Sequence, residues 1–294
     1  MEPAIAMTES TRQGQAVLAH VRTLLPSLQA SDARVAQVIV DEPDAVIYRS
    51  VSEVAEAAST STATVVRCAQ KLGFRGFHDL KLALARERAT FAEAARTHAA
   101  QAVDPRLAPL AQVLDAGAQT LRDALALVDP EAFAAVAEVL ASAERVLVAG
   151  VGTSAPLAAD AAYRLSTIGV DAEAYGDVHT QHFHARRLGP EDICLAVSHT
   201  GSTRETLEIV GAARAGGATT AAITSFARSP LTELVDYTIL AGTREVSFRL
   251  EAMASRLAHL ALLDALLVAT AEQHPERAEA ALGAYSDMLG EHRL

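Results

Sequence analysis

Two short loops in the second half of the chain combine glycine with several hydroxyl groups. The first, Gly150–Ser154, follows the apolar run Arg145–Ala149, and the second, Ser198–Thr203, follows Asp192–Val197. Glycine lets the backbone approach a ligand closely, and hydroxyls with backbone N–H groups suit the oxygens of a phosphate or a sugar. The candidate ligand-binding residues are therefore Gly152, Thr153, Ser154, Ser198, His199, Thr200, Ser202 and Thr203.

Either loop alone is equally typical of an ordinary strand-to-helix turn, where Ser, Thr and Gly are common. Pro156 suits the first turn of a helix, so the first loop would follow a strand and precede a helix, and the second repeats this arrangement. The carboxyl ends of the strands form the edge at which open α/β sheets bind ligands. Two such loops in one sheet therefore favour a cleft for a phosphorylated sugar.

A dinucleotide site is a rival interpretation of the first loop. Gly150, Gly152 and Ala155 match the Gly-x-Gly-x-x-Ala fingerprint, and Asp177 follows at about the required distance, after a plausible second strand. That pattern would predict an NAD-dependent oxidoreductase. Against it, nothing offers a separate catalytic domain, and nicotinamide binding does not need the hydroxyl-rich second loop. We therefore predict no cofactor.

Three histidines close to Asp177 have spacings that could bind a metal ion: His179, His182 and His184. They need not converge, and we favour surface or pocket-lining side chains, so no metal site is predicted. A Gly-x-x-x-x-Gly-Lys-Ser/Thr motif is absent from the sequence, which argues against ATP hydrolysis.

A second kind of chemistry is predicted between Val51 and Leu72. Apolar residues at helical spacing from Val51 to Ala58 predict one short helix, Ser59–Thr60 forms a break, and Ser61 can cap a second helix that starts at Thr62. Gly73 would end it. On a helical wheel the inward residues are Val65, Cys68, Ala69 and Leu72, and the outward residues are Ala63, Thr64, Arg67, Gln70 and Lys71.

Small and hydroxyl-bearing residues at the start of an exposed helix, with cations further along, suit a recognition helix in the major groove of DNA. The segment from residue 61 to 88 contains six Lys or Arg residues and two acidic residues, which gives a local charge of +4 in a chain of net charge −11. The candidate DNA-binding residues are Ser61, Thr62, Ala63, Thr64, Arg67, Lys71 and Arg75. An ordinary three-helix bundle with a solvated charged face is an equally open interpretation of this pattern alone.

The elements that position these residues divide the chain. Residues 17 to 90 predict short helices only, one of them capped at Ser31–Asp32, and the Ala-rich stretch from 91 to about 130 is helical in pattern. From residue 145 buried apolar runs alternate with helical segments, with further strands at Thr219–Thr224 and Tyr237–Ala241. We predict an all-α domain (1–90), a helical linker (91–129) and a doubly wound parallel α/β domain with C-terminal helices (130–294).

Composition limits the class of protein. Half of the 294 residues are hydrophobic, which allows a substantial core, and the two cysteines exclude a disulfide framework or a Cys-based zinc site. The start Met1-Glu2-Pro3 has no signal-peptide pattern, and Leu257–Ala271 is too short and interrupted to span a bilayer. We expect a soluble, cytoplasmic protein with no membrane partner.

The motifs of the first half resemble the N-terminal domain of the RpiR family, bacterial regulators of sugar metabolism. The resemblance rests on Val51–Ala58, on Ser61-Thr-Ala-Thr-Val-Val-Arg67, on Lys71-Leu-Gly-Phe-Arg-Gly-Phe77 and on Leu80-Lys81. One departure is Ser59, where the turn often carries Gly. The resemblance implies a helix-turn-helix domain that binds double-stranded operator DNA.

Residues from about 130 to 268 resemble the sugar isomerase (SIS) domain, which RpiR-type regulators carry after the helix-turn-helix. The resemblance rests on the two loops, on Ala221–Thr224, on Ser229-Pro230-Leu231 and on Val235-Asp236. It implies that Ser154, Ser198, Thr200 and Thr203 contact a phosphorylated sugar, with Thr200 in place of the commoner Ser.

Together the two resemblances imply a transcriptional regulator of carbohydrate metabolism that is not an enzyme. We expect a homodimer or homotetramer. A bound sugar phosphate is expected to change its affinity for DNA. The alternative is a sugar-phosphate isomerase, which needs a general base beside the substrate. Spacing singles out none of four candidates, which are His199, Asp177, Glu245 and Glu251.

Overall fold

The computed structural model describes residues 17–98, 104–241 and 255–292. The described chain forms two compact units. The first contains the residues up to Leu127 together with Phe226–Arg228 and Ser255, and the second contains Val128–Ser225, Ser229–Ala241 and the residues from Arg256 onward.

The described part of the first unit is helical, as predicted for residues 17 to 90. Its helices are α1 (Val17–Leu24), α2 (Ala30–Asp41), α3 (Pro43–Tyr48), α4 (Val51–Ala57), α5 (Thr62–Lys71), α6 (Phe77–His98) and α7 (Ala108–Leu127). Two 3-10 turns, Leu25–Ser27 and Pro105–Leu107, lie between helices. The core is formed by aliphatic residues at helical spacing, and Ile39, Val54, Val65, Leu72 and Leu80 are completely buried. Burial of such side chains supplies most of the stabilisation of a small helical domain.

The second unit is built on a parallel sheet. Its strands are β1 (Val146–Gly150), β2 (Ala172–Glu173), β3 (Ile193–Val197), β4 (Thr219–Thr224) and β5 (Tyr237–Leu240). Its helices are α8 (Pro130–Ser142), α9 (Ala155–Thr167), α10 (Val178–Ala185), α11 (Arg204–Ala215), α12 (Ser255–Gln273) and α13 (Pro275–Glu291). All of α12 after its first residue, Ser255, belongs to this unit. The strand order β2-β1-β3-β4-β5 confirms the predicted doubly wound α/β fold.

The central strands are buried on both faces, which explains their continuous apolar runs. Every residue of β1 and β3 is buried. Leu147, Ala149, Cys194 and Ala196 belong to the core that also contains Ile209 and its neighbours from α11. Strands that are covered on both faces read as unbroken hydrophobic segments, and this is the signal that located them in the sequence.

The predicted helix cap at Ser31–Asp32 is wrong. Helix α2 begins at Ala30, and its N-cap residue is Gln29, which makes no side-chain capping bond. Asp32 lies inside the first turn and is completely buried. An acidic residue near a helix start resembles a cap in sequence, but here its carboxylate turns toward another helix.

No helix among the described residues combines the length and the apolar character needed to cross a bilayer.

Candidate functional sites

Helices α4 and α5 form a helix-turn-helix whose two starts are capped by serines. The Ser50 hydroxyl accepts a hydrogen bond from the Glu53 N–H (3.3 Å), and the Glu53 carboxylate accepts one from the Ser50 N–H (2.7 Å). The Ser61 hydroxyl accepts from the N–H of Thr64 (3.2 Å), which confirms the predicted cap of α5. The two serine hydroxyls accept from N–H groups of the first helical turn, where the backbone offers no i→i−4 acceptor inside the helix.

The turn between the two helices contains a strained residue. Ser59 has a φ of +48°, in the left-handed region that favours glycine. The sequence had marked this position, because related turns often carry Gly there. Arg34 of α2 stabilises the same turn from outside: its Nε donates to the carbonyl oxygen of Ala58 (3.0 Å) and its Nη2 to that of Ser59 (3.3 Å). The sequence does not indicate this role of Arg34, because a contact between residues 24 positions apart has no local signal.

The exposed face of α5 is close to the prediction, with one correction. Val65, Cys68, Ala69 and Leu72 are buried as expected. Thr62, Ala63, Arg67, Gln70 and Lys71 are exposed, and so are Ser61, before the helix, and Val66, which the helical wheel had not placed outward.

Thr64 was predicted to point outward and is buried instead. Its hydroxyl lies 3.0 Å from the Ser61 hydroxyl and accepts a hydrogen bond from Arg67 (3.4 Å). Thr64 therefore belongs to the capping network at the start of α5 and presents no free surface.

Two cations of α5 share one buried carboxylate. Arg67 Nη2 lies 3.3 Å from Asp32 Oδ1, and Lys71 Nζ lies 2.5 Å from Asp32 Oδ2. Half of the Arg67 side chain is nevertheless exposed (50%), so the guanidinium is accessible while its position is fixed. Arg75 is almost fully exposed and pairs with Asp79 at 3.2 Å.

The two hydroxyl-rich loops follow neighbouring strands of the sheet. Strands β1 and β3 pair in parallel, with Gly150 opposite Val197, so the loops that begin at Val151 and Ser198 leave the same edge side by side. The chain goes from β1 to β2 on one side and from β3 to β4 on the other. This reversal is the topological switch point at which doubly wound sheets bind ligands.

The first loop forms a 3-10 turn, Gly152–Ser154, that leads directly into α9. Gly152 has a φ of +61°, and a Cβ atom at Gly150 would lie 2.7 Å from the carbonyl oxygen of Ser154, so both positions require glycine. Buried Gln181 fixes the strand end, because its side chain accepts from the Gly150 N–H (3.3 Å) and donates to the Gly150 carbonyl (3.0 Å). No sequence motif indicates this role of Gln181, which lies among the histidines of α10.

The second loop is shaped in part by its own hydroxyls. Ser198, which is buried, accepts from the Gly201 N–H (3.2 Å), and Thr200 accepts from the Ser202 N–H (3.3 Å). Gly201 has a φ of +62°, and a Cβ atom there would lie 2.2 Å from the Ser229 hydroxyl oxygen. Ser198 and Thr200 accept through an oxygen lone pair, so each O–H proton can still point to a ligand.

Both loops end at the N-terminus of a helix. Ser154 is the N-cap residue of α9 and Thr203 that of α11, and neither side chain caps its own helix. The first-turn N–H groups of α9 and α11 and these two hydroxyls can therefore interact with an anion, which the helix dipole also favours.

Half-buried His199 begins a hydrogen-bonded chain that leads to a buried histidine. Its Nδ1 lies 2.9 Å from the Ser225 hydroxyl oxygen, which in turn lies 3.1 Å from Nε2 of His259 on α12. Burial, with a smaller contribution from His199, lowers the pKa of His259 to about 3, so this imidazole is neutral at pH 7. The sequence placed His199 in the loop and gave no reason to connect it with a residue 60 positions later.

The residues of the rival interpretations have other partners or lie outside the described chain. Asp177 caps α10, where its carboxylate accepts from the N–H of Thr180 (2.8 Å). His184 Nδ1 lies 2.9 Å from the Tyr175 hydroxyl. Within the described ranges, no group of three His, Cys, Asp or Glu side chains could hold a metal ion. Glu245 and Glu251 lie outside the described residues.

The architecture defines a class of protein: a helix-turn-helix unit followed in sequence by a doubly wound α/β unit of parallel strands. Residues 15–91 match the family model described as a helix-turn-helix domain of the rpiR family, and residues 139–269 match that of the SIS domain.

Two curated relatives extend the match over most of the chain. An uncharacterized HTH-type transcriptional regulator of Caldanaerobacter subterraneus is 32% identical over 259 residues, which cover 87% of this chain and 91% of that protein. Another, from Haemophilus influenzae, is 33% identical over 258 residues, which cover 86% and 90%. The chain belongs to the RpiR family of helix-turn-helix transcriptional regulators.

Two solved structures are similar to the chain. The Vibrio vulnificus NanR protein, complexed with ManNAc-6P, has a TM-score of 0.60 and 26% identity, covering 94% of this chain and 99% of that one. The sugar isomerase domain of an RpiR transcription factor from Sphaerobacter thermophilus has a TM-score of 0.56 and 28% identity, covering 62% and 99%.

Proposed function

We propose that the chain regulates genes of carbohydrate metabolism by binding operator DNA through α5. The supporting observation is an exposed helix face that carries small residues at its capped start and two cations along its length. Ser61, Thr62 and Ala63 would lie close to base edges, and Arg67 and Lys71 would reach a guanine edge or the phosphates. Arg75, at the start of the following segment, would contact the backbone of the duplex.

The effector that we propose is a phosphorylated sugar bound at the switch point between β1 and β3. The observation that carries this proposal is the presence of two hydroxyl-rich loops on adjacent strand ends, whose N-cap residues Ser154 and Thr203 do not cap their own helices. The phosphate would bind at the helix N-termini, and the remaining hydroxyls with His199 would line the sugar. The ManNAc-6P complex of the similar NanR protein supports this class of ligand.

We infer that the protein acts as a sensor and has no catalytic activity of its own. The curated relatives are named as transcriptional regulators. The candidate base Asp177 is engaged as a helix cap, and His199 is engaged with Ser225. The proposed organisation keeps a DNA-binding domain at 1–90, a linker at 91–129 and the sensor domain at 130–294, in a homodimer or homotetramer.

Thermal unfolding with a panel of hexose phosphates, including ManNAc-6P, tests the effector site. A ligand that binds only the folded state raises stability by about 2.7 kcal/mol at 100 times its Kd. The same sugar without phosphate is the matched control and should have little effect. Replacement of Thr203 by Val should abolish the shift and leave the unliganded melting temperature nearly unchanged. Turnover of ketose or aldose phosphates by the purified protein would contradict the sensor proposal.

Operator selection from random duplex DNA tests the helix. Arg67→Ala should weaken binding to the selected operator by about tenfold or more, because one specific base contact contributes about 1–3 kcal/mol. Arg106→Ala removes the same charge from an exposed Arg106–Asp104 pair outside α5 and serves as the control. Unchanged operator affinity of Arg67→Ala would show that α5 is not the reading helix.

A further inference from the structure

Helix α7 exposes a row of large apolar side chains. The exposed fractions are 53% for Leu110, 61% for Leu114, 42% for Leu121 and 84% for Leu125. Single exposed leucines are normal on a protein surface, but four along one face of one helix form a continuous apolar patch. Such a patch is typical of a helix that packs against another protein surface.

The spacing of this row is nearly the same in both directions. Leu110 and Leu114 lie eight and four residues before the exposed Ala118, and Leu121 and Leu125 lie three and seven residues after it. At about 100° per residue, all five lie within one 80° sector of the helix. A second α7 running antiparallel would therefore place Leu110 opposite Leu125 of the partner subunit and Leu114 opposite Leu121 of the partner subunit.

The charges beside the row follow the same symmetry. Asp115 and Arg122 are both exposed and lie on the same flank of α7, two helical turns apart. At that separation, about 10 Å, they are too far apart to pair within one helix. In the antiparallel arrangement Asp115 comes close to Arg122 of the partner subunit, and the symmetry repeats the pair. Arg122 also donates to the side chain of Gln119 (3.2 Å), which holds it on this flank.

We propose that α7 forms a two-fold antiparallel interface with α7 of a second copy of this chain. A two-fold contact uses the same patch on both subunits, so a patch must be complementary to itself, and both the leucines and the charges of α7 meet this condition. Ala118 at the centre permits close approach of the helices. This interface is independent of the proposed DNA and effector sites, although a dimer would suit a paired operator.

Cysteine cross-linking of the full-length protein tests the geometry. The natural thiols of Cys68 and Cys194 are buried, and burial raises the pKa of each to about 12, so the unmodified protein is an unreactive background. Ala118→Cys lies beside the two-fold axis and should give a covalent dimer with a short bis-maleimide. Leu110→Cys alone and Leu125→Cys alone should give little, while a mixture of the two variants should cross-link.

Two results would overturn the interface. If Ala118→Cys fails to cross-link, α7 does not pair at its centre. If Leu110→Cys and Leu125→Cys each cross-link by themselves as well as Ala118→Cys does, the helices run parallel.

Charge exchange gives an independent readout in the Ala118→Cys background. Asp115→Arg places two cations together and should lower the cross-linking rate several-fold at low salt. Adding Arg122→Asp to the same chain should restore the rate, because a two-fold contact then regains both ion pairs. Failure of the double exchange to restore it would mean that another surface covers α7.

Discussion

Asp32 is a completely buried carboxylate that pairs with Arg67 and Lys71 of α5. Burial of a charge is costly unless it is paired, and here both partners come from the helix that we propose to read DNA. The pairing restricts Arg67 to a few orientations before DNA arrives, so less side-chain entropy is lost on binding. We therefore expect Asp32 to act as a positioning residue for Arg67, since its own carboxylate is completely buried.

Asp32→Asn should reduce specificity more than affinity. The change frees Arg67 and Lys71 and adds one net positive charge near the DNA, so the affinity for non-specific DNA should stay the same or increase. The ratio of specific to non-specific affinity should fall about tenfold, which corresponds to about 1.4 kcal/mol. Both affinities can be measured by fluorescence anisotropy at several salt concentrations. Asp41→Asn, at the exposed end of the same helix, is the charge-matched control. Equal losses of specific and non-specific affinity would indicate that Asp32 only stabilises the fold.

The buried histidine of the second unit should make its stability depend on pH. Because the pKa of His259 is lowered from 6.5 to about 3, the unfolded state binds more protons than the folded state between these values. Stability therefore rises with pH across this window and is lost as pH falls below about 6.5, by up to about 1.4 kcal/mol per pH unit. Burial also lowers the pKa of His20 in the first unit, which acts in the same direction there.

Urea unfolding at pH 6.5 and pH 5.0 measures the change in the free energy of unfolding of the second unit. Both pH values lie above the range in which most carboxylates titrate. His259→Gln keeps a polar group near Ser225 but cannot be protonated, so its stability should change less between the two pH values. His274→Gln alters an exposed histidine of the same unit and should behave like the unmodified protein. An identical pH dependence of His259→Gln and the unmodified protein would contradict the assignment.

At the level of elements, the strand-loop-helix units decide where ligand chemistry can occur. Gly201→Ala should distort the second loop, because the left-handed φ of +62° is strained for alanine and the new Cβ would lie 2.2 Å from the Ser229 hydroxyl oxygen. The backbone strain alone costs about 1–3 kcal/mol. We expect the variant to remain folded, to lose the thermal shift with sugar phosphates and to melt at a lower temperature.

Gly211→Ala is the matched control on the following helix. Apart from the backbone of its own helix and its chain neighbours, no atom lies within 4 Å of a Cβ atom built at Gly211, so this change should be neutral or stabilise α11 by up to about 1 kcal/mol. Its response to sugar phosphates should be unchanged. A Gly201→Ala protein that binds the effector normally would show that the second loop does not form the site.

The elements themselves were largely predictable, and their long-range contacts were not. Continuous apolar runs predicted β1, β3, β4 and β5, because a strand that is buried on both faces does not alternate apolar with polar residues. The cap of α5 could be predicted because an N-cap Ser bonds a backbone N–H only two or three residues further along the chain. Asp32, Thr64 and Gln181 were missed or misplaced, since their partners are fixed by packing between distant segments. Periodicity shows which side of a helix is apolar, but not which polar side chain another element buries.

At the level of the whole molecule, the chain has a net charge of −11, and one segment of it is locally positive. The segment from residue 61 to 88 has a charge of +4, whereas the remainder of the chain is acidic. A protein of this kind is attracted to DNA only where its local field is positive, and its affinity should fall steeply with salt. The acidic remainder then limits non-specific binding.

Regulation by a sugar phosphate has a thermodynamic consequence that can be measured. If the effector changes operator affinity by a given factor, operator DNA must change effector affinity by the same factor, because both express one coupling free energy. A typical factor of 5 to 150 corresponds to about 1–3 kcal/mol. Isothermal titration of the effector into the protein alone and into the protein–operator complex measures both sides of the cycle. Equal effector affinities in the two titrations would mean that the ligand binds without changing the affinity for operator DNA. The site at the carboxyl ends of β1 and β3 would then have no regulatory role.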